Sequence, residues 1–103
     1  MDLRQLASLT AVADHRSFSA AARALHTVQS NISTHVARLE RELGTALVER
    51  STGELTEAGE VVVARARQIQ AELAGISPHV TSTHREIAAQ LRPGGAGIAG
   101  PWR

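Results

Sequence analysis

Residues 17–43 decide the fold, and they read SFSAAARALHTVQSNISTHVARLEREL. The first part is a short helix-forming run that ends near Leu25, with either Ser17 or Ser19 available as its N-cap. A short turn follows, and a second helix is then predicted from about Gln29 to Leu43. A short helix, a tight turn and a longer helix in this order predict a helix-turn-helix.

The two helices can pack closely because small side chains lie where they must meet. Ala21 and Ala22 supply this surface, and the helix-turn-helix is predicted to occupy about residues 18–37. In DNA-binding proteins of this geometry, the second helix enters the major groove. The unit therefore indicates DNA binding, provided that the outer face of the second helix carries suitable side chains.

That second helix has one apolar stripe and an opposite polar face, at about 100° per residue. The inward positions are Ile32, Val36, Leu39 and Leu43. The outer side of the first two turns carries short uncharged side chains, namely Gln29, Ser30, Asn31, Ser33 and Thr34, with Arg38 on the flank. Amides can pair with adenine, and hydroxyls can meet several base edges. These residues are the predicted base-contacting surface, and a polar face that is merely solvated is the alternative.

The flanking segments complete a winged helix-turn-helix, with three helices and a small two-stranded wing. At the N-terminus, Asp2 and Gln5 form a capping-box pattern ahead of helically spaced apolar residues. After Gly44, a predicted C-cap, residues 46–50 are a candidate strand, and Leu55 begins a very short return strand. Thr56 and Glu57 then begin a fourth helix. The DNA-binding domain is predicted to span residues 1–58.

A long helix is predicted over residues 59–91, and its apolar positions recur every seven residues in two rows. Such a stripe requires a partner helix. The predicted dimerisation residues are Val62, Ala66, Ile69, Leu73, Ile76, Val80 and Ile87. Gly75, Ser77 and Pro78 form a stop-and-restart signal, which predicts a kink or break near Pro78. Residues 92–103 are rich in Gly and Pro and are expected to form a disordered tail.

Composition argues against several other functions. The chain of 103 residues has no Cys, and its five His are not clustered, so no metal, disulfide or cofactor is expected. One of them, His35, is expected at the surface. No nucleophile motif, phosphate loop or paired carboxylates are recognisable, which argues against an enzyme. No signal-peptide pattern or membrane-spanning apolar run is present, so a cytoplasmic protein is expected.

The ordered motifs of the chain resemble those of LysR-type transcriptional regulators. They are SFSAAARALH at residues 17–26, VQSNIS at 28–33, LERELG at 39–44, LVER at 47–50 and LTEAG at 55–59. The resemblance extends from residue 1 to about residue 92. It implies a winged helix-turn-helix that binds DNA as a dimer through a linker helix. By position, it implies DNA contacts from Ser17, Ser19, Gln29, Ser30, Asn31, Ser33, Thr34 and, in the wing, Arg50.

Three features depart from the LysR-type pattern. Thr34 stands where the family commonly has Arg, so one charge-assisted groove contact is missing. The wing turn at residues 51–54 is short, lacks Arg and carries Glu54, which leaves Arg50 as the expected phosphate contact. The family's effector-binding domain has no counterpart here. A truncated regulator without a small-molecule effector is therefore expected.

Two hypotheses follow. The first is a sequence-specific transcriptional regulator that binds operator DNA as a homodimer, or as a heterodimer with full-length relatives. The alternative is a helical dimerisation module that modulates such relatives without binding DNA strongly itself. The heptad pattern and the wing poor in basic residues favour this alternative, and a net charge of +1 does not decide between the two.

Overall fold

The computed structural model describes residues 1–91, and the predicted tail at 92–103 lies outside the described residues. The described part is mainly α, with four helices: α1 (Leu3–His15), α2 (Phe18–Ala24), α3 (Gln29–Leu43) and α4 (Glu57–Leu91). Met1–Ile69 forms one compact unit, and a second unit begins at Gln70. The prediction of three helices followed by one long helix is confirmed.

Helix α1 begins at a capping box, as the sequence pattern predicts. The Gln5 N–H donates to Asp2 Oδ1 at 2.8 Å, and the Asp2 N–H donates to Gln5 Oε1 at 3.2 Å. The bond from the Gln5 N–H favours the carboxylate and lowers the pKa of Asp2 from its ordinary value. The helix ends at Arg16, whose φ of 52° is left-handed.

The core of the compact unit lies among α1, α2, α3 and the first turns of α4. Its buried side chains are Leu6, Leu9, Ala11, Val12, Ala21, Ala22, Ile32, Val36, Leu39, Leu47, Val48, Val63 and Ala66. Leu43 is 40% exposed, so its predicted inward role is wrong. It points in nearly the same direction as Ile32, but it lies on the last turn of α3, beside the chain reversal at Gly44.

Main-chain hydrogen bonds hold the turn between α2 and α3. The Thr27 N–H donates to the Ala22 carbonyl at 2.9 Å, and the His26 N–H donates to the Arg23 carbonyl at 3.2 Å. This pair of bonds is the Schellman pattern, in which the residue after the C-cap adopts a left-handed conformation. His26 does so with a φ of 55°. The turn geometry therefore depends on backbone groups rather than on a turn-specific side chain.

The predicted two-stranded wing does not form strands among the described residues. The segment between α3 and α4, which we call the wing loop (residues 45–56), has a single antiparallel bridge between Val48 and Leu55. Beside it, the Glu49 N–H donates to the Glu54 carbonyl at 2.7 Å. A longer ladder has no room because α4 begins at Glu57, two residues after Leu55.

Helix α4 continues through residues 75–78, so the predicted break there is wrong, and the kink that was its alternative stays a prediction. Pro78 lacks the N–H that would bond to the Ala74 carbonyl, and its ring crowds that carbonyl, whereas its restricted φ is compatible with a helix. The residues around it are exposed, so water can satisfy the carbonyl that Pro78 leaves unbonded. The seven-residue recurrence of apolar residues therefore predicted the continuity of α4 better than Gly75 and Pro78 did.

Gly59 lies buried in the first turn of α4, where the helix meets the wing loop. Its N–H donates to Thr56 Oγ1 at 3.0 Å, which makes Thr56 the cap of the helix. A Cβ atom at residue 59 would collide with the Leu47 carbonyl oxygen. The Leu47 carbonyl belongs to the main chain, and a Cβ atom is fixed to the backbone of the helix. The collision can therefore be relieved only by shifting the helix or the loop.

The Gly59→Ala substitution should therefore destabilise the protein by about 1–3 kcal/mol, in spite of the better helix propensity of alanine. Urea unfolding monitored by circular dichroism measures this change. Gly75→Ala is the matched control because no heavy atom lies within 4 Å of its added Cβ. The control should be neutral or stabilising by about 0.5–1 kcal/mol. Equal stability of the two variants would contradict the packing described here.

Candidate nucleic-acid interface

The N-terminal half of α3 presents its predicted polar face to solvent. Gln29, Ser30 and Thr34 are exposed, Ser33 is half-buried, and Arg38 is exposed on the flank. On the opposite side, Ile32, Val36 and Leu39 are fully buried. The burial of three side chains at helical spacing fixes the rotation of α3, so the polar residues stand together on one accessible surface.

Asn31 differs from the other polar residues of this face. Its side chain is exposed, but its Nδ2 donates a hydrogen bond to Thr27 Oγ1 at 2.8 Å. The amide is therefore partly engaged by the turn that precedes α3. Any base contact from Asn31 must either use its carbonyl oxygen or exchange this local bond.

The start of α3 has no side-chain cap. Val28 is the N-cap residue, in an extended conformation with φ −97° and ψ 153°, and its side chain accepts no hydrogen bond. In this first turn the Asn31 N–H donates to the Val28 carbonyl at 3.1 Å. The first N–H groups of a helix have no carbonyl four residues back within the helix, and the helix dipole places partial positive charge there. The N-terminus of α3 is consequently suited to approach by an anion such as a DNA phosphate.

Two serines lie at the start of α2, the helix that packs against α3. Ser17 is the N-cap, because its Oγ accepts a hydrogen bond from the Ala20 N–H at 3.1 Å. Ser19 is exposed, and its Oγ lies 3.0 Å from Ser17 Oγ. The sequence alone left both serines open as the cap, and the geometry assigns that role to Ser17.

The carboxylate of Glu40 connects α3 to the wing loop. Its Oε2 accepts hydrogen bonds from the main-chain N–H groups of Leu47 at 2.8 Å and Val48 at 3.3 Å. Its Oε1 accepts one from the Arg50 guanidinium at 2.7 Å. Both loop residues are buried, so the carboxylate satisfies N–H groups that water reaches poorly. The sequence pattern did not predict this role, because the partners are seven to ten residues away across the turn at Gly44.

Arg50 is held from two sides. Besides the ion pair with Glu40, its guanidinium carbon lies 4.8 Å from the centroid of the Phe18 ring. Phe18 is the first residue of α2, so one side chain joins α2, α3 and the wing loop. The Arg50 side chain is still 43% exposed, which leaves the guanidinium accessible at the surface.

His35 does not lie free at the surface, contrary to expectation. It is half-buried, and its Nδ1 lies 2.7 Å from the Oγ of Ser8, a residue on α1 that is 1% exposed. The bond joins α1 to α3 one residue after Thr34. Nothing in the local sequence pattern indicates it, since the partners are 27 residues apart.

The predicted dimerisation residues divide into buried and exposed members. Ala66 is fully buried in the core of its own chain, and Val62 packs against that core. The large exposed side chains are Ile69 (41%), Leu73 (44%), Ile76 (56%) and Val80 (61%), and Ile87 is half-buried. The four large exposed side chains form what we call the exposed apolar stripe (residues 69–80).

The described part of the chain offers neither a membrane-spanning helix nor a metal site. None of its helices is both long and apolar enough to cross a membrane. Within the same residues, no group of three or more His, Cys, Asp or Glu side chains could hold a metal ion.

A helix-turn-helix with an exposed polar α3, followed by a long helix, is the arrangement of a helix-turn-helix DNA-binding domain. Residues 3–60 match the bacterial regulatory helix-turn-helix proteins of the lysR family, and the chain belongs to that family. It therefore contains the helix-turn-helix DNA-binding domain of a LysR-type transcriptional regulator. This family assignment confirms the resemblance seen in the sequence motifs and the prediction that the chain is not an enzyme.

Similar proteins support this assignment at the level of sequence and fold. The HTH-type transcriptional regulator PtxR of Pseudomonas aeruginosa is 37% identical over 89% of this chain, which spans 30% of PtxR. Full-length LysG from Corynebacterium glutamicum superposes with a TM-score of 0.79 at 34% identity, over 84% of this chain and 30% of LysG. The CbnR DNA-binding domain, solved with DNA, gives 0.69 at 40% identity, over 81% of this chain and 97% of that domain.

Replacement of Glu40 tests its connecting role. Glu40→Ala should destabilise the protein by about 1–3 kcal/mol because the buried Leu47 N–H loses its acceptor. Glu40→Gln should cost less, since the amide oxygen can still accept. Thermal unfolding of each variant measures the loss. Glu42→Ala is the control, because Glu42 is exposed and pairs only with the N-terminal amine. Equal losses for Glu40→Ala and Glu42→Ala would refute the role.

Proposed function

We propose that this chain binds operator DNA in a sequence-specific manner, with α3 in the major groove, and thereby regulates transcription. The observation that carries the proposal is the exposed, uncapped start of α3, where Gln29, Ser30 and Thr34 stand opposite a fully buried stripe. The likeness to the CbnR DNA-binding domain, which was solved in complex with DNA, supports it at 40% identity.

The base contacts are assigned to the first two turns of α3. Gln29 is exposed at the tip, and its amide can pair with the N6 and N7 groups of adenine. Ser30, Ser33 and Thr34 carry hydroxyls that can meet several base edges, and Asn31 can contribute its carbonyl oxygen. No carboxylate lies on these two turns, so nothing there repels the DNA.

Phosphate contacts are assigned to the rim of this surface. Ser19 at the start of α2, Arg38 on the flank of α3 and Arg50 in the wing loop are all exposed. Ser17 lies beside Ser19, but its hydroxyl already caps α2. Since Glu40 and Phe18 hold the Arg50 guanidinium, this cation is ordered before DNA arrives and loses little side-chain entropy on binding.

Dimerisation is assigned to the helix at residues 59–91, with residues 1–58 as the DNA-binding domain. The exposed stripe at residues 69–80 supports this because an apolar row on one helix is stabilised by a second helix. Two recognition helices would then contact the two halves of a roughly palindromic site. The same stripe would allow heterodimers with full-length relatives in the cytoplasm.

A second candidate function is dimerisation without strong DNA binding. It is favoured by the exposed stripe together with a wing loop whose turn carries Glu49 and Glu54 on its exposed surface. Carboxylates near phosphate would weaken binding by repulsion. The two candidates differ in whether the isolated protein binds duplex DNA.

A salt series separates the two candidates. If about two arginines per protomer contact phosphate, counterion release predicts a loss of about a hundredfold in affinity between about 50 and 200 mM salt. Fluorescence anisotropy with a labelled random-sequence duplex measures this dependence. A protein that binds no duplex even at the lowest salt concentration would support the dimerisation module instead.

The Gln29→Ala substitution should cost about 1–3 kcal/mol on the preferred sequence and relax the preference at one base pair. Arg50→Ala should weaken binding to all sequences alike, because a phosphate contact carries no sequence information. Competition between preferred and random duplexes measures both effects. Gln68→Ala, an exposed glutamine on α4, is the matched control. An unchanged base preference in Gln29→Ala would show that the base-contacting face is assigned wrongly.

A further inference from the structure

Val28 occupies the N-cap of the recognition helix, where valine is a poor choice. Ser, Thr, Asp and Asn are preferred at this position because their side chains accept a hydrogen bond from the first turn, and valine cannot. The side chain of Val28 makes no such bond. The cap therefore lowers the stability of α3 relative to what a hydroxyl residue of the same shape would give.

Val28 also contributes nothing to the core in compensation. Its side chain is 59% exposed, next to the exposed Gln29 and Ser30, whereas Ile32 one turn later is fully buried. A single exposed apolar residue is ordinary on a protein surface. Val28 is unusual because its side chain is exposed and also leaves the helix without a capping hydrogen bond. It lies at the N-terminus of α3, the helix that we assign to the major groove.

We propose that Val28 is a specificity-determining residue that packs against the C5-methyl group of a thymine in the major groove. This inference rests on the proposed function. The thymine methyl is the apolar group that base pairs present in this groove. An A·T pair would offer adenine edges to the Gln29 amide and, on its other strand, a methyl group to the neighbouring valine. Two adjacent residues would then favour the same base pair by different chemistry.

The test combines a protein substitution with a DNA substitution. Wild-type protein first selects its preferred duplex from random DNA, and each thymine of that duplex is then replaced by deoxyuridine, which lacks only the methyl group. Replacement of the one contacted thymine in a half-site should weaken wild-type binding about fourfold, the equivalent of one methyl group returned to water. Val28→Ser lacks both methyl groups of the valine in each protomer. The homodimer should therefore lose about sixteenfold on the thymine duplex, and the single uracil should then cost it less than about twofold more.

The stability of the variant shows that the lost affinity does not come from a damaged fold. Val28→Ser supplies the missing cap, so its Tm should rise by about 4–8 °C. Val61→Ser is the matched control, because Val61 is 62% exposed but lies on α4. The control should leave both the affinity and the cost of uracil unchanged.

The possible results separate this inference from the function on which it rests. If uracil costs Val28→Ser as much as it costs the wild type, the valine does not contact a thymine methyl and the inference is overturned, while DNA binding stands. If no single uracil replacement weakens the wild type, the inference is likewise overturned. If the wild type selects no sequence at all, the proposed function fails, and the inference fails with it.

Discussion

The position of every candidate DNA-contacting side chain on α3 depends on the burial of Ile32, Val36 and Leu39. These three residues are fully excluded from solvent on one side of the helix. A helix advances about 100° per residue, so a helix locked by three such side chains has no freedom to rotate. Ser30 and Thr34 must then face outwards. Each of these buried side chains is worth roughly 1.5–3 kcal/mol relative to exposure, which is much more than any single surface contact could offset.

Polar contacts between α3 and its neighbours supplement this apolar constraint. Towards the C-terminus of α3, Glu40 fixes the wing loop through two main-chain N–H groups and the Arg50 guanidinium. Nearer the N-terminus, the 2.7 Å contact between Ser8 and His35 ties α3 to α1. Hydrogen bonds to partly buried groups are directional, so they define distances between elements that apolar packing alone leaves adjustable.

Local periodicity predicted the parts of the structure that local physics controls. The capping box at Asp2, the close-packed Ala21 and Ala22, and the exposed face from Gln29 onwards all follow from spacing within a single helix. The contacts of Glu40 could not be predicted in this way, because they join residues across a chain reversal. The break that the local signals allowed at Pro78 does not occur, because solvent exposure makes the lost hydrogen bond tolerable.

The left-handed His26 has a consequence for how such a protein can change over time. The corner between α2 and α3 is held by main-chain bonds from Thr27 to Ala22 and from His26 to Arg23, and no substitution other than proline removes these donors. Substitutions in this turn that tolerate the left-handed φ of residue 26 therefore leave the crossing of the two helices largely intact. The side chains at the tip of α3 can then diverge, and recognition can drift towards new sequences on an unaltered scaffold.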